Sequence, residues 1–369
     1  MIGREELAAW LRLAETPQVG RESARRLLAR FGTPQAVFEA RPQDWRDVVG
    51  PAAAASLADE PETLAPLLER TLCWLGESAD RAVVTLGDAH FPPAWLETPD
   101  PPLMVFAQGR TELLLQPALA IVGSRNPTAQ GRDNARAFAR SLSEAGLCIV
   151  SGLALGIDGA AHEGGLEGRG STIAIVGTGL DRVYPRRHHG LAHRIVQRGL
   201  LVSEFALGAP PLAQHFPMRN RLIAGLARGT LVVEAALQSG SLITARLAAE
   251  CGREVFAIPG SIHAPQSRGC HALIRQGARL VEGAADILEE LRWGSAGAPA
   301  RAAGAAQAEA ARERDPLLEA LGHDPVTLDT LVERTGTAPA VLAARLLELE
   351  LEGEVARLPG QLFQRRMRA

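Results

Sequence analysis

From residue 118 onward, short runs that are apolar along their whole length alternate with stretches of helical periodicity, and few folds accept that alternation. The strand-like runs fall at about 118–123, 147–151, 171–176, 199–203, 230–234, 254–258 and 279–281. The helical stretches fall at about 130–145, 158–167, 189–198, 218–228, 241–252 and 270–276. A strand with no polar face is buried on both sides, so helices must cover both faces of a mostly parallel sheet. The expected fold class is therefore α/β, a doubly wound, extended Rossmann-like sheet. In such sheets a ligand sits outside the carboxyl ends of the strands. The unusual residues gather there: Gly123-Ser-Arg125, Ser151-Gly152, Gly177-Thr-Gly179, Ser203-Glu204, Glu234 and Pro259-Gly260.

The flanks read differently. Residues 1–78 are helical, and Thr16-Pro-Gln-Val-Gly20 followed by Ala24, Leu27, Leu28 and Phe31-Gly32 gives a turn, a helix with one apolar face and a glycine stop. This suggests a SAM or helix-hairpin-helix-like module, whose hairpin amides either approach a phosphate backbone or simply belong to a packing bundle. The sheet domain spans 79–293. Its first part, Arg81 to Gln116, holds two short β patterns, and its prolines are expected to forbid a helix there. Residues 294–314, rich in alanine and glycine, read as a linker. The order of helices and hairpin over 315–369 suggests a winged-helix-like domain. Its last helix sets Arg345 against Glu348, Glu350 and Glu352, which favours packing or protein docking over reading a DNA groove.

Composition removes whole classes of chemistry. All 39 basic residues are arginine, so no lysine is present to hold nucleotide phosphates in a P-loop or to form a Schiff base. The four cysteines form no C-x-x-C, so neither a zinc site nor a disulfide framework is expected. After the third strand of the regular pattern comes Gly177-Thr-Gly179-Leu-Asp-Arg182. An arginine stands where a dinucleotide site needs a third small residue, so no nicotinamide cofactor is expected. No charged-then-apolar leader and no membrane-length apolar run is found, so a cytoplasmic protein is expected. A net charge of −3 argues against a broad DNA-coating surface and leaves room only for a local basic pocket.

Arg125, Arg186, Arg187, Arg219 and Arg221 all follow predicted strands or lie on the loops above them. Converging on one crevice, they would bind successive phosphates through charge-assisted hydrogen bonds, helped by loop amides of Gly123, Ser124, Ser239, Gly240 and Ser241. Phe216 is either a platform for a base or a core phenylalanine. Asp158, His162 and Glu234 read as helix caps or partners of loop amides, because no nucleophile or second base stands at a recognisable spacing.

Six motifs in order, Ile121-Val-Gly-Ser-Arg125, Ser151-Gly-Leu-Ala-Leu-Gly-Ile-Asp-Gly-Ala-Ala-His162, Gly177-Thr-Gly-Leu-Asp-Arg-Val-Tyr-Pro185, Phe216-Pro-Met-Arg-Asn-Arg221, Ser239-Gly-Ser-Leu-Ile-Thr-Ala245 and Ile258-Pro-Gly260, together resemble the DprA (Smf) family of DNA-processing proteins. The resemblance implies a non-enzymatic dimer that binds and protects single-stranded DNA entering the cell in natural transformation and loads the recombinase RecA. It places Arg125, Arg186, Phe216, Arg219 and Asn220 in the pocket and the dimer surface around His271, Ile274 and Leu280. The histidines of Tyr184-Pro-Arg-Arg-His-His189 depart from the asparagine that the family often carries there. Two rivals stand beside this reading. One is a nucleotide phosphoribohydrolase of the lysine-decarboxylase-like type, whose Pro-Gly-Gly-x-Gly-Thr signature is replaced here by Glu234-Ala-Ala-Leu-Gln-Ser-Gly240. The other is a scaffold that binds only proteins.

Overall fold

The computed structural model describes residues 2–293, 315–322, 324–358 and 360–365, so the predicted linker 294–314 lies outside the described residues. Strands β1 (Arg81–Thr85), β2 (Met104–Gly109), β3 (Ala118–Val122), β4 (Cys148–Ser151), β5 (Thr172–Ile175), β6 (Leu200–Ser203), β7 (Gly229–Val232), β8 (Glu254–Ala257) and β9 (Arg279–Leu280) form one sheet of nine strands in the order β1-β2-β6-β5-β4-β3-β7-β8-β9. Strand β2 runs antiparallel to both β1 and β6, while β3 to β9 pair in parallel. The doubly wound sheet expected from the apolar runs is present. The proline-rich stretch before it adds two strands to its edge and, against the expectation of no helix there, one helical turn, Pro93–Leu96, because a proline at the first helical position gives up no hydrogen bond.

Alternation of side chains across the pleat divides the core. Leu119, Ile121, Ile149, Leu231 and Phe256 face the helices Ala129–Glu144, Ile157–Gly165 and Ala284–Glu290. Ala120, Val122, Val150, Ile173 and Val202 face the opposite way, against the helix His215–Leu226. Each fully buried leucine or isoleucine contributes about 1.5–3 kcal/mol relative to an exposed one, so a register slip of one residue would exchange the two layers at prohibitive cost.

The amino-terminal helices, among them Arg21–Phe31 and Leu64–Glu77, do not form a separate body. Their Leu27, Leu57, Leu67 and Trp74 share one apolar cluster with Phe106, Ala174 and Leu201 of the sheet. The tail has its own small core of Leu317, Leu321, Leu331, Leu342, Leu346 and Val355 beneath the three strands β10 (Val326–Thr327), β11 (Val355–Leu358) and β12 (Leu362–Arg365). Among the described residues no helix is long and apolar enough to cross a membrane.

The feature that positions the site is the reversal at β3. The chain lays β4, β5 and β6 on one side of it, returns through the helix His215–Leu226 and lays β7, β8 and β9 on the other side. The carboxyl ends of β3 and β7 therefore flank the crevice in which a wound sheet receives its ligand.

Candidate nucleic-acid interface

A pocket of about 480 Å³ opens at that crevice, lined by Gly123, Ser124, Arg125, Phe216, Asn220 and the 238–241 loop among others. Its first wall is the turn after β3. A Cβ on Gly123 would lie 2.7 Å from Ile157 and 2.9 Å from the Glu234 carbonyl oxygen, so only glycine lets the chain turn there. The Ser124 amide donates to that same carbonyl at 2.7 Å, and the Ser124 carbonyl accepts from the Ile157 amide at 3.1 Å. Glu234 anchors the next residues by accepting from the Thr128 amide and hydroxyl at 2.9 and 2.6 Å, while the Thr128 hydroxyl caps the helix Ala129–Glu144.

Arg125 leaves this fixed turn exposed, with no carboxylate partner among the described residues. Its guanidinium carbon lies 5.7 Å from the centre of the Phe216 ring, within reach of a cation–π contact. Phe216 is only half-buried and tilts against Tyr184, with ring centres 5.6 Å apart. It is therefore not a core phenylalanine. The pocket combines an unpaired guanidinium, an accessible aromatic face and the start of the helix Ser241–Glu250, where the Ser239 and Ser241 hydroxyls lie 2.7 Å apart.

Arg219 lines the bottom of the pocket, with most of its side chain buried. It is 4% exposed, donates through Nη1 to the carbonyls of Gly152 at 2.6 Å and of Ile175, and donates through Nε to Asn220 at 3.0 Å. A Cβ on Gly152 would meet its Nη2 at 2.2 Å, which is why a glycine passes over it. Burial pulls its pKa down to about 10, opposed by the charge of Asp158 and reinforced by that of Arg125. It remains a cation at neutral pH. Asp158 accepts from the Gly152 and Ala154 amides at 3.1 and 3.2 Å, and burial raises its pKa against the pull of Arg219 and of those amides.

The same loop is held from the other side by a neutral imidazole. Burial first, and then the charges of His188 and Arg219, lower the pKa of His162 to about 3. Its Nε2 accepts from the Leu153 amide at 3.2 Å, which assigns the proton to Nδ1 facing Thr172 Oγ1 at 2.7 Å. The Thr172 hydroxyl in turn donates to the Ile149 carbonyl at 2.7 Å. Asp158, His162 and Glu234 are thus committed to loop and cap hydrogen bonds, as their sequence context suggested. Among the described residues no group of three or more His, Cys, Asp or Glu could hold a metal ion.

Several sequence expectations need correction. Arg221 does not reach the pocket; it is bound to Asp100 at 2.9 Å and to Glu204 at 2.5 Å. The spacing carried the signal: on the helix His215–Leu226, Phe216, Arg219 and Asn220 stand three and four residues apart on one face, whereas Arg221 is two past Arg219 and turns away. Arg186 lines a neighbouring groove, and Arg187 lines a cleft beside the carboxyl-terminal hairpin. The Ser124 and Ser239 amides, expected to meet a ligand, are spent on the carbonyls of Glu234 and Ala236. Sequence reasoning missed Gln238 and Thr244, which line the pocket, and gave Tyr184 no part beside Phe216. Their place beside the 239–241 turn and after Val183 was the available clue.

His271, Ile274 and Leu280 come together on a different surface, a shallow depression of about 590 Å³ that also includes Leu237, Pro259 and Ile262.

Comparison with known proteins agrees with this architecture. Residues 82–292 match the family described as DNA recombination-mediator protein A, residues 4–62 a DprA-like N-terminal HHH domain and residues 301–361 a DprA winged helix domain. The chain is 44% identical to Protein Smf of Escherichia coli over 298 residues, covering 79% of each. The structure of DNA processing protein A from Streptococcus pneumoniae superposes with a TM-score of 0.67 at 37% identity, covering 78% of this chain and 98% of that one. The protein of the same name from Helicobacter pylori, solved for its single-stranded DNA binding mode, superposes at 0.53 with 32% identity, covering 57% of this chain and 95% of that one. With residues 82–292 and both flanking modules matched, the chain belongs to the DNA recombination-mediator protein A family, also called DprA or Smf.

Proposed function

We propose that this chain binds single-stranded DNA at the β3/β7 crevice, protects it and passes it to the recombinase RecA during natural transformation, acting in the cytoplasm as a homodimer and catalysing no reaction. The observation that carries this reading is the unpaired Arg125 guanidinium beside the half-buried Phe216 ring. A phosphate clamp next to a stacking face is what sequence-neutral binding of single strands requires. Arg125 holds a phosphate, Phe216 stacks on a base, Asn220 and the Ser239 and Ser241 hydroxyls give polar contacts, Gly123 shapes the turn that carries Arg125, and Gly240, with open space where a Cβ would stand, lets the strand approach. Arg219 contributes by fixing the Gly152 loop.

Family membership supports RecA as the recipient of the strand, and the related Helicobacter pylori protein is described by its binding of single-stranded DNA. The homodimer is supported by the apolar surface around His271 and Ile274, where Ile262, Leu237 and Leu280 are 74%, 57% and 50% exposed. Residues 315–369 act as a separate unit because their core is their own, whereas 1–78 act as a lobe of the sheet domain. The phosphoribohydrolase reading is disfavoured by the carboxylates: Glu234 is engaged by Thr128 and Asp158 by loop amides, which leaves neither as a free base at the pocket.

Titration of the full chain with single- and double-stranded oligonucleotides over a salt series tests the reading. Tighter binding of the single strand, weakening steeply with salt, is expected, together with no release of base from nucleoside monophosphates. Equal affinity for duplex, or base release, would reverse it.

A further inference from the structure

The pocket is not the only basic concavity at this end of the sheet. A groove of about 870 Å³ runs along the seam where the helix Leu64–Glu77 meets the loop after β5 and the helix His189–Arg198. Arg70, Arg81, Arg182, Arg186, His189 and His193 line it. Its two carboxylates are already answered: Glu77 pairs with Arg81, and Asp181 pairs with Arg182 at 3.5 Å and accepts from the Gly208 amide at 2.8 Å. Arg70 donates to the Leu207 carbonyl at 3.0 Å, a contact that leaves its charge unbalanced, and Arg186 has no carboxylate partner among the described residues. The groove is therefore net positive. Its far wall carries two imidazoles packed edge to face, His189 and His193, with ring centres 4.5 Å apart.

The loop 181–186 lines the groove through Asp181, Arg182, Val183 and Arg186, and Tyr184 stands on it 47% exposed. Its ring tilts against Phe216, and Phe216 in turn meets Arg125, so a row of flat side chains leads from the pocket to the edge of the groove. Aromatic faces interleaved with unpaired guanidinium groups suit successive bases and phosphates of one flexible strand.

We propose that this groove is a second subsite, which holds the continuation of the single strand whose first nucleotides occupy the pocket. Tyr184 bridges the two by stacking, Arg186 and Arg70 take phosphates, and His189 and His193 offer ring faces and N–H donors. The inference rests on the pocket being a single-strand site. It gives Arg186 a role outside the pocket, and it makes the helical lobe one wall of the DNA path.

The test compares two lengths of oligothymidylate on the full chain, one of about 5 nucleotides that fills the pocket alone and one of about 15 that spans both subsites. The variants are the double substitution Arg70→Gln/His193→Ala and the single His193→Glu, which sits on an exposed helical position and keeps the test valid should loss of the Arg70 contact loosen the lobe. Both should weaken the long oligonucleotide about tenfold and lower its salt slope by about one, and leave the short one unchanged. Loss on both lengths alike, or on neither while wild type binds both, overturns the groove and spares the pocket. Failure of wild type to bind the short oligonucleotide removes the pocket reading and this inference with it.

Discussion

Arginines at one end of the sheet are used in two opposed ways. At the seam between the helical lobe and the sheet, Arg21, Arg25 and Arg221 surround two carboxylates. Asp100 is 2.6 Å from Arg21, 2.9 Å from Arg221 and 3.1 Å from Arg25, and Glu204 is 2.5 Å from Arg221. At the pocket Arg125 has no carboxylate partner among the described residues and lies beside a ring. The seam spends its positive charge inside the protein and joins three segments; the pocket leaves its charge unbalanced and available to a polyanion. Motif membership does not foretell an arginine's use, since Arg221, bound at the seam, and Arg219, bound to backbone carbonyls, stand in one short segment. What decides is which carboxylates the fold brings near. The hairpin after Thr16 belongs to the same lesson, because Arg21 and Arg25, just past its Gly20, are turned onto Asp100.

Arg219 is a third case, and substituting it should give the largest effect. Arg219→Met would leave the Asp158 charge buried without its cation and the Gly152 and Ile175 carbonyls without a donor. A buried acceptor left without its donor costs about 1–3 kcal/mol, so with two of them stranded denaturant unfolding should show a loss of several kcal/mol. A variant that is as stable as wild type yet has lost DNA binding would return Arg219 to the list of phosphate clamps.

The exchange of Arg125 and Arg221 sharpens the contrast directly. Arg125→Ala should weaken single-strand binding about 10- to 100-fold, the worth of one charge-assisted contact with its stacked neighbour, and leave the melting temperature alone. Arg221→Ala should do the reverse: unchanged affinity, and stability lower by about 1–3 kcal/mol as Glu204, only 12% exposed, loses its near partner. The comparison would collapse if the two variants behaved alike in both assays.

Much of this was legible beforehand, and for physical reasons. Strands buried on both faces are apolar without interruption, so the run at 118–123 locates Ala118–Val122 and the others follow. The turn at Gly123 and the loop at 239–241 were legible because a wound sheet puts its site at strand ends. Addition of β1 and β2 to the sheet was legible only as a nearby segment, because the antiparallel match of Phe106 with Ser203 joins residues far apart in the chain. The fate of each arginine was the hardest part. Arg221 and Asp100 meet across 121 positions, and no local pattern announces that pairing.

Asp100 offers the smallest and most selective test of the seam. Burial alone would raise its pKa, but the hydrogen bond from Arg21, the charges of Arg221 and Arg21 and the hydrogen bond from Arg25 outweigh it and hold the carboxyl well below the usual range. A carboxyl depressed in the folded state contributes stability above its unfolded pKa of about 3.9, and that contribution disappears as pH falls through the folded value. The side chain is 36% exposed, so solvent screening keeps the effect modest. Wild type should therefore exceed Asp100→Asn in stability by a constant margin from neutral pH down to about 5, and the margin should narrow below about 4 as the wild-type carboxyl takes up its proton. Urea melts of both proteins along that series give the answer. A margin that stays flat to the acid limit would mean that Asp100 holds the seam by shape and neutral hydrogen bonding, and the charge-matching account of this region would fall while that of the pocket stood.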